Sequence, residues 1–87
     1  MIIRRHRQFI KNYKKRILPN SQLDKRFEER LELFHQDRQN PLLKNHKLIG
    51  SMEGLRAFSV TGDIKVVYRA IGEIIELYDI GSHNQVY

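Results

Sequence analysis

Apolar positions follow two different periods along this chain, and the change falls near residue 40. Phe9, Ile10, Tyr13 and Ile17 recur at i, i+1, i+4 and i+8, with Arg7, Lys11, Lys14, Lys15 and Arg16 between them. That spacing predicts an amphipathic helix with a strongly basic outer face. Met1 to Arg4, just before it, reads as a short edge strand whose arginines discourage pairing with other chains. Leu18-Pro19-Asn20-Ser21 interrupts the pattern, because proline cannot continue a helix. Ser21 is the expected cap of a second helix over about Gln22 to Arg38, with Asp24 at its third position. Leu23, Phe27, Leu31 and Phe34 form its buried stripe. Lys25 and Glu29 stand at i,i+4 on its outer side. The two helices together predict an antiparallel hairpin that needs a further surface to pack on.

Beyond Asn40-Pro41 the signals become those of strands. Arg56 to Val60 alternates polar and apolar residues, and Thr61-Gly62-Asp63 is a turn. Ile64 to Arg69 is β-branched and aromatic, Gly72-Glu73 turns again, and Ile74 to Ile80 is a last strand. Short links between neighbours predict an antiparallel meander. The expected fold class is α+β, with the helical hairpin packed on one face of the sheet and the other face free for a ligand. Residues 40 to 54 are the longest irregular connection, a place where function often resides. The length supports one domain, residues 1–87, with one modest core.

Charge changes the picture more than overall composition does. The formal net charge is +6, and residues 1 to 20 hold seven Lys or Arg and no acid. Residues 21 to 40 hold four basic and five acidic side chains, and residues 41 to 87 hold five of each. The positive field therefore sits on the first helix, where Lys11, Lys14 and Lys15 are candidate contacts to a phosphate backbone. An acidic protein segment would suit the same surface, and a plain solvated face is the simplest alternative. No cysteine is present, so disulfides and thiolate zinc sites are excluded. No stretch approaches the roughly 20 apolar residues needed to span a bilayer. No signal peptide is expected either, and the cytoplasm is the expected compartment.

The candidate chemistry lies in His46, Lys47, Arg56, Ser59, Asp63, Arg69, His83 and Tyr87. Metal-independent cleavage of RNA needs a base for the ribose 2′-OH, an acid for the departing 5′ oxygen, and cations for the charge gathering on phosphorus. Histidine serves either proton-transfer role near neutral pH. Arginine donates two parallel hydrogen bonds to phosphate. Aspartate accepts a proton or orients a histidine. Each residue has a structural alternative: His46 as a loop residue, Asp63 as a turn residue, Arg56 as a partner of Glu53, His83 as a tether of the C-terminus, Tyr87 as a plug at the sheet edge. His6 and His35 carry no motif. His46, Asp63 and His83 lack close metal-ligand spacing, so neither a metal nor another cofactor is expected.

Leu43-Lys44-Asn45-His46-Lys47-Leu48-Ile49-Gly50-Ser51-Met52-Glu53-Gly54-Leu55-Arg56 resembles the signature of the RelE/ParE superfamily of toxins, in its YafQ-like branch. Gly62-Asp63-Ile64-Lys65-Val66-Val67-Tyr68 is similar to that branch's Pro-Asp-Trp-Leu-Leu-Ile-Tyr strand. Gly81-Ser82-His83-Asn84-Gln85-Val86-Tyr87 is similar to its Gly-Thr-His-Ser-Asp-Leu-Phe ending. The resemblance implies a helical hairpin over a curved antiparallel sheet. It also implies a toxin of a type II toxin–antitoxin system that cuts messenger RNA in the ribosomal A site. The implied partners are a cognate antitoxin, messenger RNA and ribosomal RNA, with no membrane. By motif, His46 and His83 would transfer protons, and Asp63 would act in acid–base work or hold a histidine. Arg56 would contact phosphate, and Tyr87 would stack on a base or shape the pocket. Lys47 and Arg69 would add positive charge toward RNA.

Three positions depart from the pattern. Ser59 stands where a further histidine is usual, and serine cannot act as acid or base near neutral pH. Ile64 replaces a tryptophan and cannot stack on a base as tryptophan does. Lys47 replaces a proline and adds charge beside the phosphate site. Two other functions remain open from sequence: a ParE-like inhibitor of DNA gyrase, and a non-enzymatic module that binds RNA or antitoxin.

Overall fold

A five-stranded sheet forms the centre of the protein, whose computed structural model describes all 87 residues. The strands are β1 (Ile2–Arg5), β2 (His46–Lys47), β3 (Arg56–Ser59), β4 (Ile64–Ile71) and β5 (Ile74–Ser82). Their order is β1-β5-β4-β3-β2. β3, β4 and β5 make the expected antiparallel meander, with Val66 opposite Phe58 on one side and opposite Ile80 on the other. β1 extends the sheet in parallel along β5, Ile2 facing Ile74. At the opposite edge β2 pairs antiparallel with β3, His46 facing Ala57. His46 therefore lies in a strand, inside the connection over residues 40 to 54 that was expected to be irregular. Two residues are too few to show alternation, so only pairing with β3 reveals them.

The helices α1 (Arg7–Arg16) and α2 (Ser21–Gln36) cover one face. Phe9, Tyr13 and Ile17 with Phe27 and Phe34 meet Phe58, Val60, Val66, Tyr68, Ile75, Leu77 and Ile80 in one continuous core. Aromatic pairs fix the packing: Phe34 stacks on Phe58 at 4.7 Å between ring centroids and meets Tyr68 edge-on at 5.0 Å.

Asn20 caps α2, where Ser21 was expected. Its side-chain oxygen accepts from the Gln22 and Leu23 amides at 3.0 and 3.2 Å, and Ser21 becomes the first helical residue. Asparagine and serine cap about equally well, so the turn after Pro19 decides the position. Glu29 pairs with Arg26 at 4.0 Å rather than with Lys25. α1 also seals the edge of β5 beyond the short β1. The Ile80 amide donates to Asp79 Oδ1, and the Ile80 carbonyl accepts from Arg16 at 3.0 Å. Asn12 donates to the same Asp79 carboxylate at 2.8 Å. Backbone groups that would recruit a foreign strand are thus satisfied internally. No helix is long and apolar enough to cross a membrane.

Candidate active site

The sheet face opposite the helices carries the candidate chemistry, and it is only partly open. Leu55, Val67 and Val86 form a small second cluster there, with Leu48, Met52 and Tyr78 at its margin. Val86 belongs to α3 (His83–Val86), a single helical turn that folds back over the sheet. Ser82 and Gln85 hold this turn by a reciprocal capping box, and Gln85 Oε1 accepts from the Ser82 amide at 2.8 Å. Gly81 makes the return possible: a Cβ there would lie 2.6 Å from Gln85 Oε1 and 2.8 Å from Arg16 Nη1. The C-terminus is thereby anchored where chain ends ordinarily fray.

His46, Lys47, His83 and Tyr87 line one open cleft of about 520 Å³, with Ile49 and Met52 among its apolar walls. Residues far apart in sequence, at the two ends of the site, therefore share one space. The His83 and Tyr87 rings meet edge-on at 4.7 Å. Burial pushes the Tyr87 phenol above its ordinary pKa, which keeps the hydroxyl protonated as a hydrogen-bond donor.

His46 is oriented by its own loop. Its Nδ1 lies 2.8 Å from the Lys44 carbonyl oxygen. A carbonyl only accepts, so Nδ1 carries the proton and the neutral ring leaves Nε2 free to take another. Lys44 aims that carbonyl from a left-handed conformation (φ 49°, ψ 41°) at the end of the 3-10 turn Pro41–Leu43. A lysine rarely adopts this conformation, so some strain is spent on the orientation.

The remaining expected residues lie elsewhere. Arg56 lines a neighbouring cleft of about 580 Å³, on the other side of the Lys47–Ile49 wall. Its Nε donates to Asn45 Oδ1 at 3.1 Å and to the Tyr68 hydroxyl at 3.2 Å, and Tyr68 donates to Asn45 at 2.8 Å. This trio anchors the residue next to His46. Asp63 is exposed at the β3–β4 turn, just outside the last register pair of Ile64 and Ser82, while His83 opens α3. It does not line the cleft. Arg69 is exposed on β4 and faces Glu76. Lys11, Lys14 and Lys15 are exposed on α1, in the layer across the sheet from the cleft.

Ser59 is only 7% exposed and accepts a hydrogen bond from Lys65 Nζ at 2.9 Å. Sequence reasoning passed over Lys65, Asn45 and Tyr68. Alternation along β4, with Val66 and Tyr68 facing the core, was the available signal for Lys65. Nothing in the sequence marked the Asn45–Tyr68 contact, which spans 23 positions.

Two helices on one face of a five-stranded sheet make a fold shared with the small YafQ and YoeB/ParE-like toxins. YafQ from E. coli superposes with a TM-score of 0.80 at 19% identity, covering 98% of this chain and 96% of that one. The E. coli DinJ–YafQ complex gives 0.80 at 20% identity, covering 98% and 96%. A YoeB/ParE toxin from Agrobacterium tumefaciens gives 0.77 at 18% identity, covering 95% and 99%. No curated protein matches the sequence itself. The family model described as "Bacterial toxin of type II toxin-antitoxin system, YafQ" matches residues 1–87. The chain belongs to that family of toxins.

Proposed function

We propose that this toxin is a ribosome-dependent endoribonuclease that cleaves messenger RNA in the A site by metal-independent acid–base chemistry. The observation that carries the reading is the shared cleft of His46 and His83, with His46 Nε2 left free by the Nδ1 contact to Lys44. His46 Nε2 takes the proton of the ribose 2′-OH, and the 2′ oxygen attacks phosphorus. The bond from phosphorus to the 5′ oxygen breaks as protonated His83 delivers a proton to that oxygen, leaving a 2′,3′-cyclic phosphate and a 5′-hydroxyl. Lys47 supplies positive charge at the cleft wall, and Tyr87 offers a ring for a base and a hydroxyl donor. Asp63, on the turn before the strand that pairs with Ser82, orients His83 when RNA is bound. Arg56 acts through Asn45 on the placement of His46, and its phosphate contact lies on the side of the neighbouring cleft.

A cognate antitoxin neutralises the protein, as the DinJ–YafQ assembly of a similar fold suggests. The net charge of +6 favours an acidic antitoxin segment. The basic face of α1, with Lys11, Lys14 and Lys15, contacts ribosomal RNA, which places the working protein in the cytoplasm.

Cleavage mapping of a defined messenger on programmed ribosomes tests the reading, with EDTA present and absent. Cuts at A-site codons are expected from the wild type in both conditions and none from a folded His46→Ala, His83→Ala double variant. Intact messenger with damaged DNA after expression would instead establish gyrase inhibition. Salt-sensitive RNA binding without cuts would establish a binding module.

A further inference from the structure

His46 on β2 and the end of β5 that leads to His83 are separated by β3 and β4, so those strands form the floor between the two histidines. On the side away from the helices that floor carries Ala57 and Ser59 from β3 and Val67 from β4, all buried, while Lys65 and Arg69 of β4 reach the surface at its margins. Its two basic side chains differ in their surroundings. Neither forms an ion pair; Arg69 has the acidic Glu76 as its register neighbour, whereas Lys65 stands opposite Gly81. Lys65 is half-buried, yet its ammonium group is held only by neutral oxygens: Ser59 Oγ at 2.9 Å and the Gly62 carbonyl at 3.2 Å. An accessible ammonium fixed by two neutral oxygens keeps its full charge for an anion and is already oriented to donate to it.

We infer that Lys65 is a phosphate-binding residue of the site, presented by Ser59, and that its anion is a phosphodiester of single-stranded RNA passing the β3–β4 turn end of the site. This rests on the nuclease reading for its substrate and adds a residue to it. Ser59 is then a positioning residue: its hydroxyl accepts from the ammonium and turns it onto the strand surface. The third ammonium proton is the donor that a phosphate oxygen would meet.

Binding of a fluorescent 2′-O-methyl RNA hexanucleotide, which cannot be cleaved, is to be measured by anisotropy over a range of salt concentrations. Wild type, Lys65→Gln, Ser59→Ala and a distant control, Lys25→Gln, are compared, with thermal melting as the fold check. Lys65→Gln is expected to weaken binding by about tenfold, the scale of one charge-assisted hydrogen bond. Its salt slope should also fall by about 0.7, the value for one phosphate contact to a single strand. Ser59→Ala keeps the charge, so it should weaken binding less and leave the slope unchanged. Unaltered affinity and slope in a folded Lys65→Gln variant would overturn the inference, whatever the nuclease assay gives. A lowered slope in a protein that makes no cuts on ribosomes would retain Lys65 and remove the nuclease reading.

Discussion

The two faces of the sheet are built from the same strands but by different rules. Against the helices, Phe9, Phe27, Phe34, Phe58 and Tyr68 are fully buried in one apolar core. On the other face, Leu55, Val67 and Val86 make a cluster just large enough to pin α3. Around it stand His46, Lys47, His83 and Tyr87, together with Ile49, which is 87% exposed. One face carries the stability and the other is left underpacked so that polar groups and apolar walls remain reachable. Chemistry at an exposed site tolerates substitution without unfolding only if the energy resides elsewhere.

Substitutions on the two faces should therefore separate activity from stability. His83→Ala is expected to lower cleavage by about 10²–10⁴-fold, the range for loss of a general acid or base, with little change in melting temperature. Full toxicity in a folded His83→Ala protein would remove that residue from the mechanism. On the helical face, Phe58→Ala should cost about 3–5 kcal/mol in urea unfolding, the usual range for a buried phenylalanine. Val86→Ala should cost about 1.5 kcal/mol, two buried carbons' worth of a small cluster, and should mainly free α3. Equal losses for Phe58→Ala and Val86→Ala would mean that the two faces are one cooperative core.

The effect of a single cap is smaller. Asn20→Ala should destabilise by about 1 kcal/mol through loss of the bonds to the Gln22 and Leu23 amides. Ser21→Ala should be near neutral by the same measurement.

The helical face also carries a pH signature. Burial, then the hydrogen bond to the Asp24 carboxylate, push the Tyr13 phenol well above its ordinary value. The unfolded chain loses that proton first, from about pH 10. The contribution of Tyr13 is thus fully present below about pH 10 and is lost as pH rises toward the folded-state value. Denaturation from pH 9 to pH 11 should show falling stability, and Tyr13→Phe should flatten the fall. An unchanged slope in Tyr13→Phe would place the titration on another group.

Amphipathic spacing at Phe9, Tyr13 and Ile17, the stripe of Phe27 and Phe34, and the three meander strands were all legible before folding, because helix and strand periodicity are local properties. The histidines, Tyr87 and the charge on α1 were legible as candidate chemistry for the same reason: residue type and order survive in one dimension. Tertiary structure alone decided which of them meet. It joined His46 to a sheet through two paired residues, folded α3 back so that His83 and Tyr87 share the cleft of His46, and turned Arg56 toward Asn45 and Tyr68. It left Asp63 at the rim and set Lys65 against Ser59. Each of these outcomes depends on strand order, a bulge between Val67 and Tyr68, the conformation of Lys44, or the close packing of Gln85 and Arg16 on Gly81. Such features arise from contacts between distant segments, which local periodicity does not encode.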